Sequence, residues 1–398
     1  MHMKSVFYLF VFTPFLLFSQ SNWQQNADYE MSVDVNVKTF EFKGSQEIVY
    51  TNNSPDTITK VYYHLYFNAF KPGSQMDVRS LNISDPDRRV KDRISKLTKG
   101  EEGNLSVFEL KQDGKELVFE QQETVLLARL NKILLPGKKT KLTLLFNGVV
   151  PKQIRRSGRN NKDGVALSMT QWFPKLAEYD FEGWHPNPYI AREFHGVWGN
   201  YDVKITLDKN YILGGTGYLQ NPNEIGYGYQ SKNKTVDHSK KEKLTWHFYA
   251  PNVHDFTWAA DPEFYHDVVK GPNNVDLHFL YKTNLENWKK LQPHSVGLMK
   301  YFNENIGEYP WKQYSIIQGG DGGMEYAMST LITGGEQYSR LLGTPSHEMA
   351  HAWFQHILAN NEAKHPWMDE GFASYIDVLA ENTVFGKNPD NPFKGSYN

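Results

Sequence analysis

The residues of this sequence best suited to chemistry are His347 and His351, which lie four positions apart with Glu348 beside the first. Residues four apart share one face of an α-helix, so the two imidazoles are expected to converge in front of that face. This spacing predicts a zinc site in which Glu348 lies close enough to handle a proton. Glu370 follows His351 after 18 intervening residues and is expected to add a carboxylate ligand from a second helix. Three protein ligands leave a fourth zinc position for water, so the prediction is one catalytic Zn²⁺ per chain.

Local signals place the histidine pair on a helix that begins at Pro345. Thr344 suits the N-cap, and Pro345 suits the first helical position because its missing N–H is not needed there. The alternative is an ordinary core helix with packed histidines, but burying His and Glu together is costly without a partner such as a metal. His356 is expected on the opposite side of the helix and His365 on the surface, so neither is a predicted ligand. The expected buried side of the helix consists of Met349, Trp353, Phe354, Ile357 and Leu358.

The motifs around this pair resemble those of the M1 family of zinc metallopeptidases, the gluzincin aminopeptidases. That family combines H-E-x-x-H-x18-E with an upstream G-x-M-E-N loop, and residues 322–326 of this sequence read G-G-M-E-Y. Residues 367–375 are similar to the family's W-L-N-E-G-F-A stretch, and residues 309–311 are similar to the start of its catalytic domain. The motif-level resemblance covers about residues 300–380, and the N-terminal half is similar in general character only.

The resemblance implies a saddle-like antiparallel β domain followed by a thermolysin-like α/β catalytic domain. It also implies an aminopeptidase that acts on peptides with a free N-terminus, using a metal-activated water and Glu348 as the general base. Glu325 is then the anion that pairs with the substrate α-ammonium, and Gly322 and Gly323 offer backbone groups to the extended peptide. Gln171 corresponds, by the same resemblance, to a residue that lines the first substrate pocket.

The sequence departs from the family at two places. Tyr326 replaces the usual Asn of the upstream loop, which affects the expected geometry of that loop. The family's catalytic tyrosine lies several dozen residues after the zinc-binding Glu, and Tyr397 is too close to Glu370 to take that role. The sequence is therefore expected to be the N-terminal part of a longer enzyme, incomplete within the catalytic domain and poorly active by itself.

Several alternatives remain open from the sequence. A thermolysin-type zinc endopeptidase shares the H-E-x-x-H helix and a distant Glu, but cutting internal bonds does not require the acidic loop at Glu325. A noncatalytic peptide-binding protein on the M1 fold is a second alternative, which a missing catalytic tyrosine would support. Asp377 shares a helical face with Glu370, and it is either a carboxylate that orients a zinc-binding histidine or a surface acid.

Composition and the N-terminal residues restrict where the protein works. The 398 residues are enough for two domains, and a net charge of −2 gives no indication of nucleic-acid binding. Lys4 precedes an apolar stretch at 6–18 and the small residues Ser19 and Ser21, a pattern typical of a signal peptide, predicted as residues 1–20. A retained N-terminal anchor is the alternative. With no cysteine, export does not depend on disulfides. The prediction is a secreted or periplasmic protein without a transmembrane segment after signal removal, and its oligomeric state stays open.

The rest of the chain divides into a predicted β-rich domain at 21–270 and a catalytic domain at 271–398. Met31, Val33, Val35 and Val37 alternate with polar residues, which predicts a half-buried strand. Two polar stretches, 85–104 and 230–243, are interpreted as solvated loops. Residues 285–306 predict a helix that is interrupted or kinked at Pro293. Further strands are predicted at 46–51, 60–67, 124–130, 141–146, 201–207, 244–250 and 275–281.

Overall fold

The regular secondary structure of the N-terminal half of the protein is mostly β-strand. The computed structural model describes residues 23–334 and 337–386, so the predicted signal peptide and Tyr397 lie outside the described residues. This half also contains helices α1 (Gln75–Asn82) and α2 (Pro222–Ile225) and a 3-10 turn at Tyr66–Ala69. Its strands, in chain order, are β1 Asn26–Asn36, β2 Glu41–Thr51, β3 Ile58–His64, β4 Asn104–Gln112, β5 Lys115–Glu116, β6 Phe119–Gln122, β7 Val125–Leu134, β8 Lys139–Val149, β9 Gly158–Arg159, β10 Leu167–Met169, β11 Lys175–Leu176, β12 Tyr179–Asp180, β13 Gly183–Trp184, β14 Gly199–Asp208, β15 Ile212–Gly215, β16 Tyr218–Leu219, β17 Lys243–Val253 and β18 Trp258–Asp261.

An eight-stranded sheet with the order β16-β17-β14-β1-β2-β8-β4-β5 is the largest layer of this half. In β1, Met31, Val33 and Val35 are buried and alternate with exposed residues, which confirms the predicted half-buried strand. The strands predicted in the first 250 residues are all present. The strand pairs of this half are mostly antiparallel, as predicted, but β1 and β14 run parallel. These two strands are distant in the sequence, so no hairpin fixes their direction.

Two smaller sheets, β15-β18-β10-β9 and β11-β3-β7-β6, complete the β-rich half together with the hairpin β12-β13. Trp172 is fully buried between the layers. Its ring makes edge contacts with Phe42 of the large sheet, at a centroid distance of 6.5 Å, and with Trp258 of a small sheet at 6.3 Å. Burying an aromatic side chain of this kind contributes about 1.5–3 kcal/mol, so these rings hold the layers together.

The two polar stretches of this half have different outcomes. Residues 230–243 are mostly exposed, as predicted. The prediction of a solvated loop at 85–104 is wrong in its middle, where Val90 and Ile94 are fully buried. These two residues lie four apart and belong to the same core cluster as Met324 and Tyr326. The charged residues around them therefore cover a packed segment beside the C-terminal half.

The C-terminal half is a five-stranded mixed sheet with helices packed against it. The strand order is β19-β20-β21-β23-β22, with the two central pairs parallel and both edge strands antiparallel. The hairpin of β19 and β20 spans the predicted domain boundary after residue 270, and the boundary itself stays a prediction. The strands are β19 Tyr265–Lys270, β20 Asp276–Tyr281, β21 Gln313–Gln318, β22 Gly323–Tyr326 and β23 Ser329–Ile332. The helices are α3 Leu285–Asn305, α4 Tyr338–Ala350 and α5 Phe372–Phe385, with a 3-10 turn at Pro272–Asn274 and π-helical segments at Ala352–Ile357 and Trp367–Gly371.

Helix α3 confirms the predicted helix at 285–306, but it continues through Pro293 without interruption. Its buried side chains, among them Trp288, Leu298 and Phe302, are spaced to face the core and anchor the helix on both sides of the proline. Over the residues that the structure describes, no helix combines the length and apolar character that crossing a membrane requires.

Candidate metal centre

The histidine pair lies at the end of α4, and this helix begins earlier than predicted. It starts at Tyr338, so Thr344 is not an N-cap and Pro345 lies inside the helix; Thr344 Oγ1 instead donates to the carbonyl of Arg340 at 3.0 Å. Regular helix ends at Ala350, and after His351 the six residues Ala352–Ile357 form a π-helical segment in which Gln355 has a φ of +134°. Segments of this kind are frequent at functional sites.

This irregular segment also changes the buried side of the helix. Met349 and Trp353 are buried as predicted, but Ile357 and Leu358 are 41% and 55% exposed, so the predicted apolar side ends at this segment. His356 is buried, with Nδ1 3.1 Å from the carbonyl oxygen of His351. It is not among the candidate metal ligands in the described part of the chain.

Three side chains bring their ligand atoms together in front of α4. His347 Nε2 lies 3.1 Å from His351 Nε2 and 3.1 Å from Glu370 Oε2, and the third distance, from His351 Nε2 to Glu370 Oε2, is 3.8 Å. Zinc bonds of 2.0–2.2 Å in a tetrahedron separate ligand atoms by about 3.4 Å. The donor set and its spacing therefore fit a zinc ion. Glu370 comes from the π-helical turn that precedes α5, rather than from a regular helix as predicted.

Carboxylates orient both imidazoles from behind. His347 Nδ1 lies 3.1 Å from Asp377 Oδ2 of α5, which is the orienting contact that the sequence left open. His351 Nδ1 lies 2.6 Å from Asp369 Oδ1 in an ion-pair contact that lacks the alignment of a hydrogen bond. Asp369 was not predicted, although its place next to Glu370 was a usable signal. Carboxylate partners of this kind fix the ring that a metal binds.

The electrostatics of the site favour positive charge on the two rings. Burial lowers the pKa of His347, but the hydrogen bonds with Asp377 and Glu370 outweigh burial and raise it to about 11. Burial likewise opposes the charge on His351, while Glu325 and Asp369 raise its pKa to about 10. The contact with His347 lowers the pKa of Glu370 to about 2. A metal cation bound between these groups would stabilise the same carboxylates that raise the pKa values of the two rings.

Glu348 is buried beside the ligands, and its carboxylate lies against Gly323. Its side chain is 6% exposed, and its Oε2 has no hydrogen-bond partner among the described residues. A Cβ on Gly323 would clash with Glu348 Oε1 and would meet Thr344 Cγ2 at 2.6 Å, so any larger residue there would displace the Glu348 carboxylate. Gly322 has no such constraint, because a Cβ there meets only Arg89 at 3.4 Å. Burial raises the pKa of Glu348, which suits a group that takes up a proton.

Glu325 lies on β22, the antiparallel edge strand, and faces the same space. Its carboxylate, that of Glu348 and a ring nitrogen of His351 all lie within 4.8 Å of one another. Burial raises the pKa of Glu325 well above its usual range, because its buried carboxylate lacks enough positive charge nearby. The site therefore presents a buried acid next to the metal ligands, where a cationic group of a ligand can be neutralised.

Loops of the β-rich half hold this acidic strand in place, which the sequence did not reveal. Asp321 Oδ1 accepts from the backbone N–H of Arg156 at 2.8 Å and from Arg155 Nη1 at 3.3 Å. Arg155 Nε also donates to Asp87 at 3.0 Å, and Arg156 Nη2 donates to Glu193 at 2.6 Å. The tandem arginines thus join three segments around the G-G-M-E-Y loop.

Gln171 and Tyr326, the last residue of this loop, are both buried. Gln171 is 1% exposed, has a φ of +49°, and donates to Asp255 Oδ2 at 3.3 Å. Its predicted contact with a substrate pocket stays a prediction. Tyr326 is buried in the core cluster that contains Met324, so the residue that replaces the usual Asn is a packing residue here. His365 is exposed, as predicted.

Comparisons with known proteins agree with this geometry at the level of the fold. No family model matches the chain. A segment of 98 residues is 26% identical to leukotriene A-4 hydrolase from Xenopus laevis, over 23% of this chain and 16% of that protein. The M1 zinc metallopeptidase from Deinococcus radiodurans superposes with a TM-score of 0.55 at 14% identity, over 92% of this chain and 72% of that chain.

Two further solved structures superpose in the same way. An M1 zinc metallopeptidase mutant bound to L-arginine gives a TM-score of 0.57 at 13% identity, over 90% of this chain and 71% of that chain. A mutant from Deinococcus radiodurans bound to a Tyr-Ser-Ala substrate gives 0.54 at 12% identity. The chain therefore has the two-region fold of M1 zinc metallopeptidases, as its motifs predicted.

Proposed function

We propose that this protein is a zinc-dependent aminopeptidase that hydrolyses the first peptide bond of substrates with a free N-terminus. The observation that carries the proposal is the convergence of His347, His351 and Glu370 with two buried carboxylates, Glu348 and Glu325, beside them. The first three residues would hold the metal. The other two supply the proton transfer and the substrate contact that the reaction needs.

The chemistry follows from the position of each group. Zinc, when bound by the three ligands, supplies a Lewis acid and lowers the pKa of a coordinated water toward neutrality. Glu348 takes the proton of the attacking water and passes it to the departing amine. Asp377 and Asp369 hold the imidazoles in the orientation that the ligand set requires. The absence of a side chain at Gly323 leaves the space that the Glu348 carboxylate occupies.

Glu325 gives the proposal its exopeptidase character. A buried carboxylate next to His351 pairs well with the α-ammonium of a peptide, and an internal peptide bond offers no such charge. The ligands of the two complexes, L-arginine and Tyr-Ser-Ala, both carry a free α-amino group. The position of Glu325 beside His351 favours an aminopeptidase over a thermolysin-type endopeptidase. The complete set of ligands with Glu348 favours an enzyme over a noncatalytic peptide-binding protein.

The architecture of the C-terminal half supports a thermolysin-like catalytic domain as part of the proposal. The supporting feature is a mixed sheet whose antiparallel edge strand β22 borders the helix that carries the metal ligands. We also propose that the protein works outside the cytoplasm, on the strength of the apolar stretch at 6–18. Sequencing the N-terminus of the mature protein tests the signal peptide, because cleavage near residue 20 supports it and an intact N-terminus would favour the retained anchor.

The proposed function is tested by metal analysis and aminoacyl-amide turnover on the full-length protein. The wild type is expected to bind zinc at His347, His351 and Glu370 and to release the N-terminal residue. Glu348→Gln should keep this zinc and lose about 10²–10⁴-fold in turnover, the range for a general base. Zinc binding without turnover in the wild type would favour a peptide-binding protein, and equal turnover of N-acetylated substrates would favour an endopeptidase.

A further inference from the structure

A second group of metal-ligating side chains lies in the β-rich half. Asp180, His185 and His195 each offer a ligand atom, and these three atoms lie within 4.8 Å of one another. The residues do not overlap with the candidate zinc ligands, and none of them carries a role in the proposed peptidase reaction. The donor set is nevertheless the same, two imidazoles and one carboxylate.

A tight hairpin brings the first two of these residues together. Strands β12 and β13 pair with Asp180 opposite Gly183, and the backbone N–H of His185 donates to the carbonyl of Glu178 at 2.9 Å. His185 lies two positions after Gly183 and so shares its face of the hairpin, which makes His185 a diagonal neighbour of Asp180. Gly183 has a φ of +95°, a conformation that few other residues adopt, and it lets the chain turn this sharply.

His195 returns to the hairpin from the end of the following loop. Its Nε2 lies 3.8 Å from Asp180 Oδ2, while His185 Nε2 lies 2.8 Å from Asp180 Oδ1. Both Nε2 atoms are buried, yet neither makes an aligned hydrogen bond with any described residue. The two imidazole rings meet edge to face at 5.2 Å. Two buried ring nitrogens thus point toward one carboxylate without using it as a hydrogen-bond acceptor, which leaves them suited to a shared cation.

The cluster has a carboxylate behind one ring and an opening to a cavity. His195 Nδ1 lies 3.8 Å from Glu362 Oε2, an ion-pair distance that is longer than the 3.1 Å hydrogen-bond contact between His347 and Asp377. Binding of a metal ion at Nε2 would favour a closer contact between this carboxylate and Nδ1. A cavity of about 520 Å³ is lined by both histidines together with His64, Glu182 and Lys364. This cavity gives a metal ion a route to the cluster, which a binding site requires.

We propose that Asp180, His185 and His195 form a second binding site for a divalent transition-metal ion of the zinc class. Two imidazoles select such ions over Ca²⁺ and Mg²⁺, which prefer oxygen ligands. The stoichiometry of one zinc that follows from the H-E-x-x-H motif refers to the first site only. The full-length protein binds two.

The second site is connected to the chain segment that follows the first. Glu362 accepts a hydrogen bond from Gln355 Nε2 at 3.1 Å, and Gln355 lies in the π-helical segment directly after His351. A metal ion that fixes His195 also fixes Glu362, and through it this irregular segment. The second ion therefore acts as a structural clamp between the two halves of the protein, and it raises the temperature of unfolding.

The test is a calorimetric titration of the metal-stripped full-length protein with zinc chloride, combined with zinc analysis after dialysis. The wild type should take up two zinc ions per chain. His195→Gln and His185→Gln should each take up one, because glutamine keeps a polar contact with Asp180 but is a poor zinc ligand. Glu362→Gln should weaken the second site by about 10- to 100-fold.

The matched control is His247→Gln on the outer face of the large sheet. His247 Nε2 lies 2.8 Å from Asp202 Oδ1, the same histidine–aspartate distance as in the cluster, but no third ligand joins this pair among the described residues. The control should keep both zinc ions. Circular dichroism of each variant shows whether a lost ion reflects a lost ligand or a lost fold, and Asp180→Asn provides a second ligand variant if one histidine variant does not fold.

The two sites can fail independently. If His195→Gln and His185→Gln bind as much zinc as the wild type, the cluster is an ion pair only and the second site is overturned, while the proposed peptidase site stands. If His347→Ala keeps both ions, the proposed function is overturned. If the wild type takes up one ion that His347→Ala abolishes, the second site is again overturned. If the wild type binds two zinc ions and each ion is lost in the variant of its own ligand, both metal sites are confirmed.

Discussion

Two clusters in this protein offer the same ligands on different scaffolds. His347, His351 and Glu370 are positioned by α4 and the turn before α5, whereas Asp180, His185 and His195 are positioned by a hairpin and the end of a loop. The closest ligand-atom contacts are 3.1 Å in the first cluster and 2.8 Å in the second. Similar ligand geometry therefore arises from helical spacing in one region and from strand pairing in the other.

The surroundings of the two clusters differ more than their ligands. Glu348 and Glu325 lie within 4.8 Å of a ring nitrogen of His351, so the first cluster has a proton acceptor and a second anion at hand. The second cluster faces a cavity, and the carboxylate of Glu362 beside it accepts a hydrogen bond from Gln355. A ligand set alone does not make a catalytic site. The carboxylates of Glu348 and Glu325 are the reason that we propose the reaction for the first cluster and a structural clamp for the second.

The largest effect is expected from removing one ligand of the first cluster. His351→Ala should lose zinc from that site and reduce turnover by more than the roughly 10⁴-fold that loss of a general base can cost. His195→Gln should keep the first zinc and reduce turnover far less. Metal content and aminoacyl-amide hydrolysis of both full-length variants check this. Equal losses of turnover would show that the two clusters do not have separate roles.

The next effect concerns the anion that distinguishes the first cluster. Glu325→Gln should cost about 2–5 kcal/mol of transition-state binding, or roughly 30- to 4000-fold in kcat/KM for substrates with a free amine, because the α-ammonium loses its partner. The zinc content should not change. Glu47→Gln is the matched control, since Glu47 forms a surface ion pair with Lys141 on the large sheet and has no role in the proposed reaction. Wild-type kinetics in Glu325→Gln would contradict the proposed substrate contact.

A smaller effect is expected from the carboxylates behind the rings. Asp377→Asn and Asp369→Asn should each weaken zinc binding at the first site by about 10- to 100-fold, because each leaves a ring less well oriented. Competition with a chromogenic chelator measures the change. If Asp377→Asn binds zinc like the wild type, Asp377 is the surface acid that the sequence left as an alternative.

The smallest effect comes from a histidine pair that lacks a carboxylate ligand. His266 Nε2 and His278 Nδ1 lie 2.9 Å apart, and burial lowers their pKa values to about 4 and about 3. Because the unfolded chain binds protons at these rings below pH 6.5 and the folded chain does not, stability should fall as pH drops from 6.5 toward 4.

His278→Gln should remove part of this pH dependence, on the order of 1–3 kcal/mol in the free energy of unfolding at pH 4 relative to pH 7. Urea unfolding at the two pH values, with the wild type beside the variant, measures the difference. Identical pH profiles would show that the pair does not hold its neutral form. His278→Gln should also leave zinc uptake unchanged, since this pair of imidazoles lacks the carboxylate ligand that both metal-ligand clusters have.

The sequence was sufficient for the histidine pair of the first cluster because the geometry of that pair is local, whereas Glu370 was expected from its spacing and from the family resemblance. Residues four apart on one helix converge whatever the rest of the chain does, so His347, His351 and the flanking Glu348 were predictable. The alternation in β1 was readable for the same reason. The beginning of α4 could not be predicted from the sequence. Thr344 and Pro345 are typical of a helix N-terminus, but the packing of residues 338–344 extends the helix back to Tyr338.

The remaining features depend on contacts between distant parts of the chain. His195 meets Asp180 through a loop, Arg156 reaches Asp321 across 165 positions, and β1 pairs in parallel with β14. Nothing in a local pattern records which loop returns to which strand. The burial of Val90 and Ile94 was missed because the charged residues around them dominate the pattern, although the two apolar residues lie four apart.

Anomalous diffraction at the zinc edge from crystals of the full-length protein tests the central claim most directly. The account predicts a peak about 2.0–2.2 Å from Nε2 of His347, Nε2 of His351 and a carboxylate oxygen of Glu370. A protein soaked with zinc that shows no peak between these three atoms would contradict the assignment of the metal centre, and with it the proposed peptidase.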